Sequence, residues 1–521
     1  MGLMLARCSS AALLGLEARP VAVEVDIAPG LPGLSLVGLA DAAVQEARER
    51  VRAAVRNSGL RMPLTRVIVS LAPADLRKQG PAFDLPIALA VLAASGQLDP
   101  ALLHGIWCAG ELGLGGDLRP VRGVLAIALA ARRAGARALL VPGVNAAEAA
   151  LVEGLPVWPA ASLPEALARL QQPERAAQQS RGSTAPPPPA PSPWPDLAAV
   201  RGQLHGRRAL EIAAAGGHHL LLVGPPGSGK TLLARCLPAL LPPLKPAERL
   251  ELTQLYSVAG LLPEGNGLLQ ERPFRCPHHS CSSAALLGGG SKLSLGELSL
   301  AHHGVLFLDE LTEFRRDVLN QLRQPLEQGE LWLSRARQRL RFPCRIRLVA
   351  ATNPCPCGWA GDPERGCSCG TALRQRYWSR LSGPLLDRID LQVITRRLEG
   401  HVLADRFRPA AAAPMESSQT AARRVEAARE RMRHRNPQGL NNAQLTAAAL
   451  QQGGGLQPEA LNLWQGAIDQ RGLSARAAER VLRVARTIAD LEEVAGGKEV
   501  DTLEPRHVAE AIQYRQLDRE R

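Results

Sequence analysis

Residues 220–234 read Leu-Leu-Leu-Val-Gly-Pro-Pro-Gly-Ser-Gly-Lys-Thr-Leu-Leu-Ala, and they restrict the fold of this 521-residue chain more than any other stretch. Four apolar residues predict a short buried strand. A loop of Gly224, Pro225, Pro226, Gly227, Ser228 and Gly229 follows, and a helix opens at Lys230 and Thr231. This is a G-x-x-x-x-G-K-[ST] phosphate loop in its strand–loop–helix setting. The glycines let the backbone curl so that successive N–H groups face phosphate oxygens, and the helix N-terminus adds its positive dipole end. A lysine at 230 reaches β- and γ-phosphates, and a hydroxyl at 231 suits Mg²⁺. A chance glycine-rich loop would lack the flanking strand and helix. ATP with Mg²⁺ is therefore the expected ligand, and an α/β fold with a buried parallel sheet the expected frame.

A second apolar run, 304–308, ends in Asp309-Glu310. Ligands of such sheets sit beyond the carboxyl ends of the strands. Asp309 is placed to hold Mg²⁺, and Glu310 to orient and deprotonate a water. An apolar run ending in Asp-Glu is common, and the phosphate loop upstream gives it weight. Residues 346–352 predict another central strand, which ends at Asn353. Directly after come Cys355-Pro-Cys357 and then Cys367-Ser-Cys369. Two C-x-C pairs can offer four thiolates to a tetrahedral zinc. Four free thiols in a reducing compartment are the alternative.

Charge narrows the partners. Lys and Arg total 62 against 49 Asp and Glu, a net charge of +13. That balance suits a polyanion such as nucleic acid, and equally a plainly basic protein. Residues 331–342 alternate and carry Arg335, Arg337, Arg339 and Arg341, which share one face of an extended strand. They read either as a basic hairpin that meets phosphates or as a charged, solvated edge strand. Residues 272–280, with His278 and His279, predict a loop facing a pore or DNA. No run approaches the ~18 apolar residues of a membrane span, and no leader is evident, so a cytoplasmic location is expected.

The remainder divides around a Pro-rich stretch. Residues 1–170 mix strands (21–27, 67–71, 138–141) and helices (41–57, 83–95, 124–134). Residues 171–195 hold a run of four prolines within a polar stretch and predict a semi-extended linker. Residues 196–397 form the nucleotide-binding core, and 398–521 a helical, Ala- and Arg-rich region.

Several of these motifs carry a resemblance. In the first segment, Lys78-Gln-Gly-Pro-Ala82, Gly110-Glu-Leu112 and Arg119-Pro-Val-Arg-Gly123 onward are similar to the Lon proteolytic domain, an α+β fold of the ribosomal S5 domain 2-like type. That family has a nucleophilic serine and a lysine where this chain carries Ala82 and Leu125. A methyl and an isobutyl group cannot serve as nucleophile and base, so a protease is not expected. Together with 224–231, Pro277-His-His279, 304–310, 350–358 and 382–391, the whole chain resembles the YifB/ComM-type group of Mg-chelatase-like AAA+ ATPases. The resemblance implies an AAA+ module with a helical lid. Asn353 matches sensor 1, Arg388 the finger that completes a neighbouring subunit's site (Arg380 being the runner-up), and Arg476 the sensor 2 that reaches the nucleotide from the lid. It further implies a homo-hexameric DNA motor that migrates branched DNA during natural transformation. A chelatase subunit driving Mg²⁺ into a porphyrin is the alternative that shares the same core.

Overall fold

The structure is a computed structural model. It describes residues 5–172, 193–263, 267–290, 294–335, 338–398, 400, 415–496 and 502–519. Most of the Pro-rich stretch, and Arg337 of the basic run, lie outside the described residues. The chain forms two compact units. One comprises Met1–Ala190, Lys245–Gln270 and Ser334–Phe342; the other comprises Pro191–Leu244, Glu271–Leu333 and Pro343–Arg521.

The first unit is built on a seven-stranded mixed sheet. Its strands are β1 (Leu5–Leu14), β2 (Glu17–Ala28), β3 (Gly33–Val37), β4 (Arg66–Ala72), β5 (Ile106–Cys108), β8 (Ala138–Pro142) and β9 (Val157–Ala160), in the order β3-β4-β2-β1-β5-β8-β9. A small antiparallel pair, β6 (Glu111–Leu112) and β7 (Leu118–Arg119), stands apart. The alternation expected for 21–27 is realised in β2, where Val21, Val23, Val25 and Ile27 are all buried. They pack with the helices Ala42–Asn57 and Asp84–Ala94, while Ala11, Trp107, Leu139 and Val141 pack with the helix Val124–Arg133.

Two details of this unit follow from chemistry rather than from pattern. Asp84, expected as a favourable charge in a helix's first turn, is fully buried and held by a two-pronged Arg50 pair at 2.6 and 3.0 Å. The segment Lys245–Gln270 clusters with this unit. Its helix Pro246–Ala259 lies against Val124–Arg133, and the Gly123 N–H donates to the Ser257 carbonyl at 3.1 Å. The Ser257 hydroxyl donates to the Glu148 carboxylate. Leu125 is fully buried in the apolar cluster on which Ala82 packs.

The second unit has a five-stranded sheet, in spatial order Phe274–Arg275, Val305–Leu308, Arg347–Thr352, Leu220–Val223, Leu391–Ile394. The strands are β10 (Leu220–Val223), β11 (Phe274–Arg275), β14 (Val305–Leu308), β17 (Arg347–Thr352) and β18 (Leu391–Ile394), and every pairing is parallel. Alternate residues feed two cores. Leu220, Leu222, Phe307, Val349 and Val393 face the helices Leu204–Gly216 and Lys230–Leu240; Leu221, Val223, Leu306, Leu348 and Ala350 face Leu311, Phe314 and Ile389. Both faces are covered, so the strands read as continuous apolar runs. The pair β12 (Gly288–Gly289) with β13 (Ser294–Leu295) is a separate ribbon of this unit, and a second ribbon joins β15 (Glu330–Arg335) to β16 (Gln338–Pro343), its stretch Ser334–Phe342 being counted with the first unit. In the second, exposed Arg339 and Arg341 flank the half-buried Leu340, with Phe342 buried beyond them. The described residues of 415–519 are mainly helical, and Ala475–Gly496 is the longest helix among them.

Candidate functional site

Register places the expected residues on one edge. Val223 lies beside Thr352, and Leu308 beside Ala350. The turns after β10, β14 and β17 therefore open together at the carboxyl end of the sheet, where such sheets take ligands. The phosphate loop follows β10, Asp309-Glu310 follows β14, and Asn353 follows β17.

The loop's glycines are set by conformation and by space. Gly229 has φ 84°, a left-handed value, and begins the helix Lys230–Leu240. A Cβ on Gly224 would meet the Thr395 hydroxyl oxygen at 2.1 Å, so no side chain fits there. Ser228 is buried, its hydroxyl 2.8 Å from that of Thr395. The Lys230 ammonium donates to the Gly224 and Pro225 carbonyls at 2.7 and 2.9 Å and to Asn353 Oδ1 at 3.3 Å. Burial lowers the pKa of this amine, and Asp309 opposes the shift. The Thr231 hydroxyl donates to Asp309 Oδ2 at 3.0 Å, which unites the two expected Mg²⁺ ligands. These residues fit a magnesium–nucleotide triphosphate: added Cβ atoms at Gly227 and Gly229 would meet nothing within 4 Å, and a cation and a hydroxyl–carboxylate pair border the cradle.

Glu310 takes a left-handed backbone, φ 51° and ψ 47°, uncommon outside glycine. Its N–H donates to Asp309 Oδ1 at 3.0 Å, and its carbonyl accepts from the Glu313 N–H at 2.7 Å. Its carboxylate lies 3.0 Å from His279 Nδ1. The sequence places this histidine in the 272–280 loop, expected to face a pore or DNA, and gives it no partner. The structure brings it to Glu310 because β11 pairs with β14, Phe274 beside Val305. The only signal in the sequence was an adjacent pair of histidines five residues past an apolar residue.

The remaining expected residues group elsewhere. Arg388 donates to Glu327 at 2.5 Å and to the Pro384 carbonyl at 2.7 Å. The Glu327 carboxyl is held below its usual range, first by Arg388 and further by Arg476 and Arg480. Arg476 is exposed at the start of the helix Ala475–Gly496. Arg480 completes the group, donating to the Arg388 carbonyl at 3.0 Å and to Asp390 at 2.5 Å. Arg380 donates to the Thr312 carbonyl and to Glu313. The four cysteine sulfurs lie within 4.8 Å of one another.

Three family profiles cover most of the chain. "Magnesium chelatase, subunit ChlI" matches 196–403, "Subunit ChlI of Mg-chelatase" matches 23–145, and "Magnesium chelatase, subunit ChlI C-terminal" matches 415–515. The chain is 43% identical to the uncharacterized protein YifB of Escherichia coli over 98% of its own length and 96% of that protein's. It belongs to the YifB/ComM-type group of Mg-chelatase-like proteins. Competence protein ComM of Haemophilus influenzae, 41% identical over 98% of this chain and 97% of its own, is a further relative. An uncharacterized Mycobacterium tuberculosis protein is 45% identical over 94% and 95%. The phosphate-loop edge of this Mg-chelatase-like chain lies wholly within the first profile's match, as do the cysteines, whereas Arg476 falls in the third. No helix among the described residues is long and apolar enough to cross a membrane.

Proposed function

We propose that the protein is an AAA+ ATPase whose hydrolysis drives movement of DNA, in the form of a homo-hexameric branch-migration helicase acting in the cytoplasm on recombination intermediates of natural transformation. The observation that carries the ATPase reading is the meeting of Lys230, the Thr231–Asp309 pair, Glu310 and Asn353 at one sheet edge. Lys230 and the loop amides bind the phosphates, and Thr231 and Asp309 hold Mg²⁺, which neutralises charge developing on them. Glu310 orients and deprotonates the attacking water, and Asn353 positions it. Arg388 supplies positive charge to a neighbouring subunit's transferring phosphate, and Arg476 reaches the nucleotide from the lid. The DNA reading is supported by the likeness to a protein named for competence, by the net charge of +13 and by the exposed Arg339 and Arg341 of β16. The first unit serves as a scaffold, an assembly module or a DNA-contacting module.

The test is ATP turnover with and without a four-way DNA junction, read alongside junction dissociation. Wild type is expected to hydrolyse ATP faster with the junction and to dissociate it, and Lys230→Ala to do neither. Glu310→Gln is expected to bind ATP normally with turnover lowered by about 10²-fold or more. Normal turnover in that variant would remove Glu310 as the base. Hydrolysis indifferent to every DNA would favour the second reading, a chelatase-like subunit, which the three profile matches support.

A further inference from the structure

The four-cysteine cluster lies outside the chemistry above, yet it adjoins it. Cys355 Sγ is 3.3 Å from that of Cys357 and 3.6 Å from that of Cys367, and the Cys357 and Cys367 sulfurs are 3.6 Å apart. Disulfides require about 2.05 Å, so these are separate thiols. Four sulfurs bound at about 2.3 Å to one tetrahedral ion stand roughly 3.8 Å from each other, close to this arrangement. A cubane cluster places each cysteine on a different iron and spreads the sulfurs wider. The Ala360 N–H donates to Cys355 Sγ at 3.3 Å and the Cys369 N–H to Cys367 Sγ at 3.4 Å. Such N–H···S bonds stabilise thiolates and orient them, as outer-shell partners of metal ligands do. Cys355 is buried and the other three are half-buried, so the site is shielded yet reachable from solvent.

The cluster's loop also borders the phosphate loop. It starts two residues after Asn353, whose side chain accepts from Lys230. At Gly358 (φ 85°) a Cβ would lie 2.7 Å from Pro226 Cδ, so the backbone of the cysteine loop rests directly on the phosphate loop. Trp378 Nε1 donates to the Pro354 carbonyl at 3.0 Å and fixes the strand end between them. Between its two C-x-C pairs the loop is mostly turns, with little apolar core of its own. A metal would supply the rigidity that packing does not.

We propose that Cys355, Cys357, Cys367 and Cys369 bind one zinc ion, and that the filled site clamps this loop against Pro226 so that zinc sets the protein's affinity for nucleotide. The second half rests on the nucleotide reading; the first does not. The full chain, purified in reductant, is assayed for metal by elemental analysis. It is then loaded with Co²⁺ and its visible spectrum recorded, and titrated with a fluorescent ATP analogue with zinc bound, after chelation, and after zinc is restored. One zinc per chain is expected, with the thiolate-to-metal and d–d bands of a tetrahedral Co²⁺ thiolate site, and loss of both in Cys357→Ser and Cys369→Ser. Chelation is expected to weaken nucleotide binding between about tenfold and a hundredfold, and added zinc to restore it. Reversal in wild type keeps the test valid should a serine variant misfold.

Iron in place of zinc, or metal-free protein in which these four thiols titrate in addition to those of the other cysteines, would overturn the metal site. Unchanged nucleotide affinity in the chelated protein would overturn the clamp. Lys230→Ala, expected to lose the nucleotide and keep the zinc, separates the readings. If wild type holds zinc but binds no nucleotide in any state, the nucleotide reading fails and the metal site stands.

Discussion

His279 shows what one residue can decide. The edge of the sheet carries a phosphate loop, a carboxylate pair and an amide, each legible because it ends an apolar strand. Nothing within Pro277-His-His279 indicates that Glu310, 31 positions downstream, is its partner; that follows from the parallel pairing of a two-residue strand, too short to show periodicity. The 3.0 Å contact fixes the carboxylate of a residue whose backbone is already in an uncommon conformation. Removing it frees the carboxylate to turn while leaving Lys230, Thr231 and the loop amides untouched. His279→Ala is therefore expected to lower kcat for ATP by roughly tenfold with KM little changed. His279→Asn, which can still donate, should recover part of the loss. Steady-state kinetics on both variants check this, and a rise in KM with kcat preserved would assign the histidine to binding instead. The same limit hid the Arg50–Asp84 pair: a helix-start aspartate looks alike whether it faces water or an arginine on another helix.

At the scale of elements, the central strands were legible as apolar runs, but what holds their starts together was not. His219 precedes β10. Its N–H donates to Asp390 Oδ2 at 3.1 Å, its carbonyl accepts from the Leu391 N–H at 3.0 Å, and its Nδ1 accepts from the Leu348 N–H at 3.1 Å. One histidine thus ties β10 to both neighbours, β17 and β18. Burial pushes its pKa down to about 4; Arg480, Arg347 and His218 act in the same direction and Asp390 opposes them. The unfolded chain, with a value near 6.5, binds the proton more readily. The stabilisation from this neutral ring is accordingly full above about pH 6.5 and is lost as pH falls toward 4. Asp390, buried but held below the usual carboxylate range by Arg480 and the two histidines, adds its own loss only at lower pH. Calorimetric melting between pH 7 and 4.5 should show a declining Tm, with a shallower decline in His219→Asn, whose amide oxygen can accept the same bond without titrating. Parallel declines in the two proteins would rule His219 out as the source.

For the whole molecule, the division of the arginines matters most. Asn353 lies with Lys230, whereas Arg388 donates to Glu327 and Pro384 rather than to any residue of the phosphate loop. If Arg388 serves a neighbouring copy, each active site is shared, and the chain has two complementary halves: a nucleotide-binding edge and the face that carries Arg388. Lys230→Ala would disable the first and Arg388→Ala the second. Alone, each variant is expected to lose ATP turnover by about 10²-fold or more. Mixed, a Lys230→Ala subunit still offers Arg388 to a neighbour with an intact phosphate loop, so hybrid rings regain activity at those junctions. Turnover in equimolar mixtures should exceed the sum of the separate variants and rise with subunit exchange time. A mixture no more active than its parts, under conditions where labelled subunits do exchange, would place Arg388 and Lys230 in service of the same chain's nucleotide, and the salt bridge to Glu327 would then be structural.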